Sequence, residues 1–288
     1  MLDAIIIGTG PAGLSAAINL KLHNKDFLWF GNANFSDKVM KAERIMNYPG
    51  IPNATGKELC EAFRHHADEM GLAIIDKVVT SVSRARNRFL VLVQEDIYEA
   101  KTVLLATGVV NAAGYPGEVE LLGHGVSYCA TCDGFLYKGK TIAVICGAPR
   151  FEAEAKYLSE LAETVYFFPI YKGATFTADN VITPASYPDA ILGEKRVNGM
   201  RLKDGSELSL DGVFILRNAI SPATLVKGLE LDGSHIVVDR TMQTSIPGVF
   251  AAGDCTGRPY QYTKAVGEGN VAAHSMLDVL AGEEKENA

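Results

Sequence analysis

Cys129 and Cys132 stand three residues apart in the segment Tyr128-Cys129-Ala130-Thr131-Cys132-Asp133-Gly134. On one helical turn that spacing lets two sulfurs reach disulfide distance, so the pair reads as a redox dithiol. Structural zinc, the rival reading, needs four ligands, and no second Cys-x-x-Cys or paired histidine lies nearby. Asp133 follows directly. Its carboxyl could deliver or accept the proton that disulfide exchange moves, because the attacking thiol must lose one and the leaving thiolate must gain one. Without the cysteines it would read as a turn aspartate. Cys60, Cys146 and Cys255 read as small buried apolar residues, Cys255 with a possible reactive role beside Asp254. Five cysteines in 288 residues are too few, and odd in number, for a secreted disulfide framework.

A second constellation opens the chain. The apolar run Ala4–Ile7 leads into Gly8, Gly10, Pro11, Ala12 and Gly13, then a helix expected over Leu14–Lys21 and a strand over Phe27–Phe30. This is the start of a βαβ unit that binds a dinucleotide: one glycine for the tight turn, one for close approach of a pyrophosphate, one for helix packing on strand. The second strand ends in FLWFGN, with no Asp or Glu to hold an adenosine ribose. Further elements are a helix over Lys57–Met70, strands over Phe89–Gln94 and Thr102–Ala106, and a turn at Ala106-Thr107-Gly108. Arg84, Arg86 and Arg88 read as a solvated hairpin face, or else a landing patch for an acidic partner.

The order recurs at Thr141–Cys146 (strand), Gly147–Phe151 (turn), a helix through Leu161 and a strand over Thr164–Phe168, which suggests an internal duplication. Tyr166, Phe167, Phe168 and Tyr171 belong to core strand and rim, or stack a different ligand. A late strand, Ile246–Ala252, runs into Gly253-Asp254, and a last helix is expected over Gly267–Leu280 with Gly267 and Gly269 in its first turn. A net charge of −7 disfavours nucleic acid as partner. No apolar run reaches the ~20 residues of a membrane-spanning helix, and the N-terminus lacks a signal-peptide pattern, so a cytoplasmic protein is expected.

GTGPAG at 8–13, ATG at 106–108, CATCDG at 129–134 and QTSIPGVFAAGD at 243–254 together resemble the low-molecular-weight flavoprotein thioredoxin reductases, nearly end to end. The resemblance implies an α/β protein of two Rossmann-like, three-layer domains: residues 1–113 with 239–288 holding FAD, and residues 114–238 carrying the disulfide. It implies that Cys132 faces the flavin, Cys129 exchanges with thioredoxin and Asp133 moves the proton. It further implies that Asp254 holds the ribitol chain, and that Gln261 and the helix start at Gly267–Val271 lie beside the flavin N1 and O2 edge, where a helix N-terminus favours an anionic reduced ring. A homodimer is expected on the same ground.

Departures fall in the second fold. Where NADPH-dependent relatives have a GGGxSA-like turn, this chain reads Cys146-Gly147-Ala148-Pro149-Arg150-Phe151, and where they carry an HRR-type motif for the 2′-phosphate it reads Pro169-Ile170-Tyr171-Lys172. The phosphate cradle and the arginine fork are both lost, although Arg150 and Lys172 could in principle substitute. The resemblance thus narrows to ferredoxin-dependent flavin thioredoxin reductases that work without pyridine nucleotide. A ferredoxin near roughly −400 mV facing a disulfide near roughly −270 mV supplies about 6 kcal/mol per two electrons. Docking of an acidic ferredoxin would use Arg84, Arg86 and Arg88, or Lys138 and Lys140. The two domains should rotate to show the cysteines alternately to flavin and thioredoxin, with hinges near Val109–Gly114 and Leu231–Asp239. Alternatives are a two-flavin enzyme, an NAD(P)H-dependent reductase with atypical motifs, and a redox-sensing flavoprotein without turnover.

Overall fold

The computed structural model describes residues 1–40, 42–108, 114–217 and 222–286. The chain forms two units, Met1–Asn111 with Ser221–Ala288, and Ala112–Ile220.

The first unit is built in chain order from β1 (Leu2–Ile7), α1 (Pro11–Leu22), β2 (Phe27–Phe30), α2 (Asp37–Met40), α3 (Gly56–Glu69), β3 (Ile74–Ile75), β4 (Val79–Ala85), β5 (Arg88–Val93) and β6 (Asp96–Leu105). α3 is amphipathic, burying Leu59, Cys60, Phe63 and Ala67. It starts with a capping box in which Thr55 Oγ1 accepts the Glu58 N–H at 3.2 Å and Glu58 accepts the Thr55 N–H at 2.7 Å. α1 has no such stripe. Its residues from Pro11 to Ala17 are all buried, because it is covered on more than one side.

The second unit contains β7 (Val126–Ser127), α4 (Ala130–Asp133), β8 (Thr141–Cys146), α5 (Glu152–Leu161), β9 (Thr164–Pro169), β10 (Val181–Ile182), β11 (Pro188–Gly193), β12 (Val197–Leu202), β13 (Glu207–Ser209) and β14 (Gly212–Leu216). Its five-stranded sheet runs β10-β9-β8-β14-β7, every neighbouring pair parallel. The antiparallel set β11-β12-β13 is packed on it: Ile191, Val197, Met200 and Leu202 share a core with Ala143, Ile145, Val213 and Ile215.

The chain then returns to the first unit through α6 (Pro222–Leu225), β15 (Leu231–Asp232), β16 (His235–Ile236), β17 (Val249–Ala251) and α7 (Tyr262–Glu286). The first unit's sheet has the order β3-β2-β1-β6-β5-β4, with β17 also on β6. β6 serves two neighbourhoods: its first half pairs antiparallel with β5, and its second half lies parallel between β1 and β17. The two α/β units and their parallel sheets agree with the fold expected from the sequence.

Two boundaries differ from expectation. The return crossing lies at Ile220/Ser221, not at 238/239, because 222–238 packs in the first unit: Val226 bridges Val82, and Leu231–Asp232 pairs with His235–Ile236. The second expected hinge, Leu231–Asp239, therefore falls inside a unit; the first, Val109–Gly114, lies outside the described residues except for Gly114. The last helix begins at Tyr262, five residues before Gly267, so neither Gly267 nor Gly269 sits in its first turn. Gly269 has a packing role instead, since a Cβ there would lie 2.2 Å from the Ala12 carbonyl oxygen, where α7 crosses α1. A Cβ at Gly267 would meet nothing within 4 Å. Thermal melts should separate them: Gly269→Val is expected to cost several kcal/mol of stability, while Gly267→Ala is neutral or stabilising by up to about 1 kcal/mol.

Candidate functional site

Three glycine-bearing turns converge at the carboxyl ends of the adjacent strands β1, β6 and β17. Gly8 (φ +117°) has no room for a Cβ, which would fall 2.1 Å from the Ala106 carbonyl oxygen. Ala106 N–H donates to Ile7 O at 2.7 Å and Ala252 N–H to Leu105 O at 3.0 Å, so the turns at 8–13, 106–108 and 253–254 lie side by side. A Cβ at Gly13 would stand 2.0 Å from Gly8 O, and the Trp29 indole N–H donates to that same carbonyl at 2.8 Å. Carboxyl ends of parallel strands are where open α/β sheets bind ligands.

Gly10 behaves differently. It is the N-cap of α1 in extended conformation, makes no side-chain cap, and a Cβ there would meet nothing in the chain within 4 Å. The protein's own packing does not require a glycine here; a phosphate lying against the backbone at a helix N-terminus does. The buried Thr107 Oγ1, beside this turn, has no hydrogen-bond partner among the described residues, a second sign that a polar ligand belongs here. The residues present therefore fit a dinucleotide such as FAD.

The turn at Gly253-Asp254 is braced by two residues that sequence reasoning missed. Glu268 accepts the Gly253 N–H at 2.8 Å and the Thr256 hydroxyl at 2.9 Å, and Lys264 donates to the carbonyls of Gly253 and Gly257, each at 2.9 Å. Lys264 and Glu268 pair with each other at 3.1 Å. Their i, i+4 spacing was the available signal, but that pattern usually marks an exposed helix face. Gln261 stands just before α7, its side chain accepting from Asn47 at 2.7 Å. Cys255 is 2% exposed and its thiol donates toward the Leu105 and Ala252 carbonyls. Burial pushes its pKa up to about 11, which leaves it protonated and unreactive at neutral pH.

In the second unit, β7 delivers the redox segment. Cys129 is 7% exposed and disulfide-bonded, with its Sγ 3.5 Å from the Thr131 hydroxyl. The backbones of Cys132 and Asp133 lie in the short helix α4. Ser127 Oγ donates to Asp133 Oδ2 at 2.6 Å and accepts the Cys129 N–H at 3.1 Å. Tyr128 is fixed from the other side. Its hydroxyl donates to Glu118 at 2.6 Å, the Arg217 guanidinium lies 5.2 Å over its ring, and Arg217 is salt-bridged to Glu118. The Glu118 carboxylate is 1% exposed, so losing that cation would cost about 3–5 kcal/mol. The sequence offered no local cue to this cluster, whose two charged members are 99 positions apart.

The turn after β8 repeats the position of the Gly8–Gly13 loop but not its chemistry. Pro149 removes an N–H, Phe151 is buried as N-cap of α5, and Glu152 occupies the first position of the helix. Glu152 accepts the Tyr171 hydroxyl at 2.5 Å, the Thr175 N–H at 3.0 Å and the Thr175 hydroxyl at 2.8 Å, which ties the segment after β9 onto the helix start. These bonds, Tyr171's foremost, hold the Glu152 carboxyl below its ordinary range, while burial and then the Glu152 bond push Tyr171 up. The aromatics Phe167 and Phe168 are core, as expected.

The family described as pyridine nucleotide-disulphide oxidoreductase matches residues 2–151 and 180–269. The chain belongs to that family. It is 33% identical to the thioredoxin reductase of Treponema pallidum, over 96% of this chain and 98% of the relative. It is 35% identical to the bifunctional thioredoxin reductase/thioredoxin of Mycobacterium leprae, over 94% of this chain but only 64% of that longer protein. Among solved structures, a ferredoxin-flavin thioredoxin reductase from Clostridium acetobutylicum matches at 44% identity over 98% of each chain, TM-score 0.91. The expected identity as an FAD-binding flavoprotein oxidoreductase of thioredoxin reductase type is therefore met.

Two outcomes are expected here. Gly10→Ala should fold normally, since its Cβ meets nothing, yet lower FAD affinity at least about tenfold, about 1.4 kcal/mol, read by flavin retention on dialysis against an unchanged melt of the apoprotein. Because the folded pKa of Glu152 is depressed, its bonds hold fully above its unfolded value and are lost as pH falls through the folded one. Hydrogen exchange at the Thr175 amide should therefore accelerate on acidification beyond the intrinsic pH trend, and Glu152→Gln should abolish that extra response.

Proposed function

We propose that this chain passes electrons from reduced ferredoxin to thioredoxin without pyridine nucleotide. The observation that carries the reading is Glu152, an ionised carboxylate placed by three hydrogen bonds at the helix start where a nucleotide pyrophosphate would have to lie. A dianion brought there meets a like charge instead of free N–H groups, and Pro149 has already withdrawn one donor. Likeness to the ferredoxin-flavin relative supports the same donor.

In the first unit, the open N-terminus of α1 at Gly10 would hold the pyrophosphate of FAD, Asp254 the sugar-chain hydroxyls, and Gln261 with the start of α7 the ring edge. Bound FAD would supply the chemistry no side chain here offers, the conversion of single electrons into pairs. The protein's own part is thiol chemistry. Reduced Cys129 attacks one sulfur of the thioredoxin disulfide as thiolate; that S–S bond breaks, and the departing thiolate takes a proton from Asp133. Cys132 then gives its proton to the Asp133 carboxylate and attacks Cys129 as thiolate; the mixed disulfide breaks, the second thioredoxin sulfur leaves and takes that proton, and thioredoxin departs with two thiols as the Cys129–Cys132 disulfide is restored. Phe135 and Leu136, 62% and 53% exposed directly after α4, offer apolar contact to a protein substrate. Cys129 itself is nearly buried, so turnover requires that the segment be uncovered. For an acidic ferredoxin, the exposed Arg84 and Arg86 at the β4–β5 turn are the proposed contact on the flavin-binding unit.

The test is anaerobic, with flavin absorbance followed after adding NADPH, NADH or chemically reduced ferredoxin, each with thioredoxin present. Only ferredoxin should bleach the flavin and yield thioredoxin thiols, and Cys129→Ser should keep the bleaching while losing the thiols. Prompt bleaching by NADPH would overturn the reading.

A further inference from the structure

Ser127 is the last residue of β7, 4% exposed, and its hydroxyl has three partners. Asp133 Oδ2 lies 2.6 Å away, the Cys129 N–H donates to Oγ at 3.1 Å, and the Cys129 carbonyl oxygen stands at 3.2 Å. A hydroxyl has one proton and two lone pairs. With Asp133 ionised, the Ser127 proton points at the carboxylate. With Asp133 protonated, its O–H can donate to Ser127 Oγ while the Ser127 proton turns to the Cys129 carbonyl. Both protonation states are then satisfied with the carboxyl and the Cys129 backbone unmoved.

We propose that Ser127 is a positioning residue for thiol–disulfide exchange, holding the Asp133 carboxyl and the Cys129 backbone in one hydrogen-bonded unit through both protonation states. This rests on Asp133 as the proton carrier of the proposed function. In the step concerned, a bond forms between Cys129 Sγ and a thioredoxin sulfur, the thioredoxin S–S bond breaks, and the proton leaves Asp133 for the departing thiolate. Ser127 donates to the carboxylate that this transfer leaves behind. Among the described residues, the Asp133 charge also acts on the Tyr137 phenol, on which Arg196 and Asp211 act as well.

The experiment uses the FAD-loaded protein, reduced in advance, and follows a single turnover of thioredoxin reduction from about pH 5 to 9. Ser127→Ala should slow the exchange roughly tenfold or more across that range, because the Asp133 carboxyl and the Cys129 amide are no longer joined. To separate loss of the hydroxyl from a packing defect, Ser127→Thr and Ser127→Val form the decisive pair: both suit a strand, and only Thr keeps the hydroxyl. Thr should restore the rate, and Val should not. Equal rates for Thr and Val, or a Ser127→Ala rate like that of the unaltered protein, would overturn the inference. Asp133→Asn separates the two levels: if it slows exchange while Ser127→Ala does not, only the role of Ser127 falls, and if it leaves exchange unchanged, the reading of Asp133 falls with it.

Discussion

Backbone meets backbone without an intervening side chain at the points where the first unit's helices and turns join its sheet, and the rest of the site follows from that. Gly8 against Ala106, Gly13 against Gly8 and Gly269 against Ala12 are contacts that a single Cβ would break. They draw α1 down between the sheet and α7, which is why α1 is buried around most of its circumference and carries small residues there. They also align the ends of β1, β6 and β17, so that three turns distant in sequence lie side by side. Gly10 is the exception that gives the arrangement its purpose, because nothing in the chain competes for the space beside it.

The two units show what a strand–turn–helix–strand frame specifies and what it leaves free. β1-α1-β2 and β8-α5-β9 have the same parallel order. In the first copy the helix start is bare; in the second it is filled from within, by Glu152 and the loop through Tyr171 and Thr175 that bonds to it. Packing the helix on the sheet needs apolar residues such as Ala155 and Leu158, which the second copy keeps. Binding phosphate at a helix start needs free N–H groups, and here Glu152 and Pro149 stand among them. The requirements for packing the helix and for binding a ligand at its start thus fall on different residues.

Elements whose signal is local were legible in the sequence. β8 and β2 occupy the ranges expected. What escaped depends on partners distant in the chain. β11 to β13 gave no reading because their pattern makes sense only against Ala143, Ile145 and Val213 on the sheet beneath. The start of α7 is masked because Gly267 and Gly269 look like a helix-opening turn, whereas Gly269 is an interior residue kept small by Ala12. The return to the first unit before β15 has no local signal, because nothing in 222–238 announces that Val226 bridges Val82.

The redox segment combines both kinds of information. Its cysteines are obvious from spacing, yet the features that would give them directed chemistry are contributed by residues with no motif: Ser127 beneath, Glu118 and Arg217 at the flank. The four-residue helix that follows Cys129 has little intrinsic rigidity, because so short a helix is not stable by itself. Its geometry must come from what holds each end. On one side a buried ion pair fixes Tyr128, immediately before Cys129; on the other the Ser127 hydroxyl joins the Cys129 amide to the Asp133 carboxyl. Both anchors are polar, so unlike apolar packing they fix direction as well as proximity. Direction is what exchange demands, since the attacking sulfur, the breaking bond and the proton donor must be held in mutual alignment while bonds change around them.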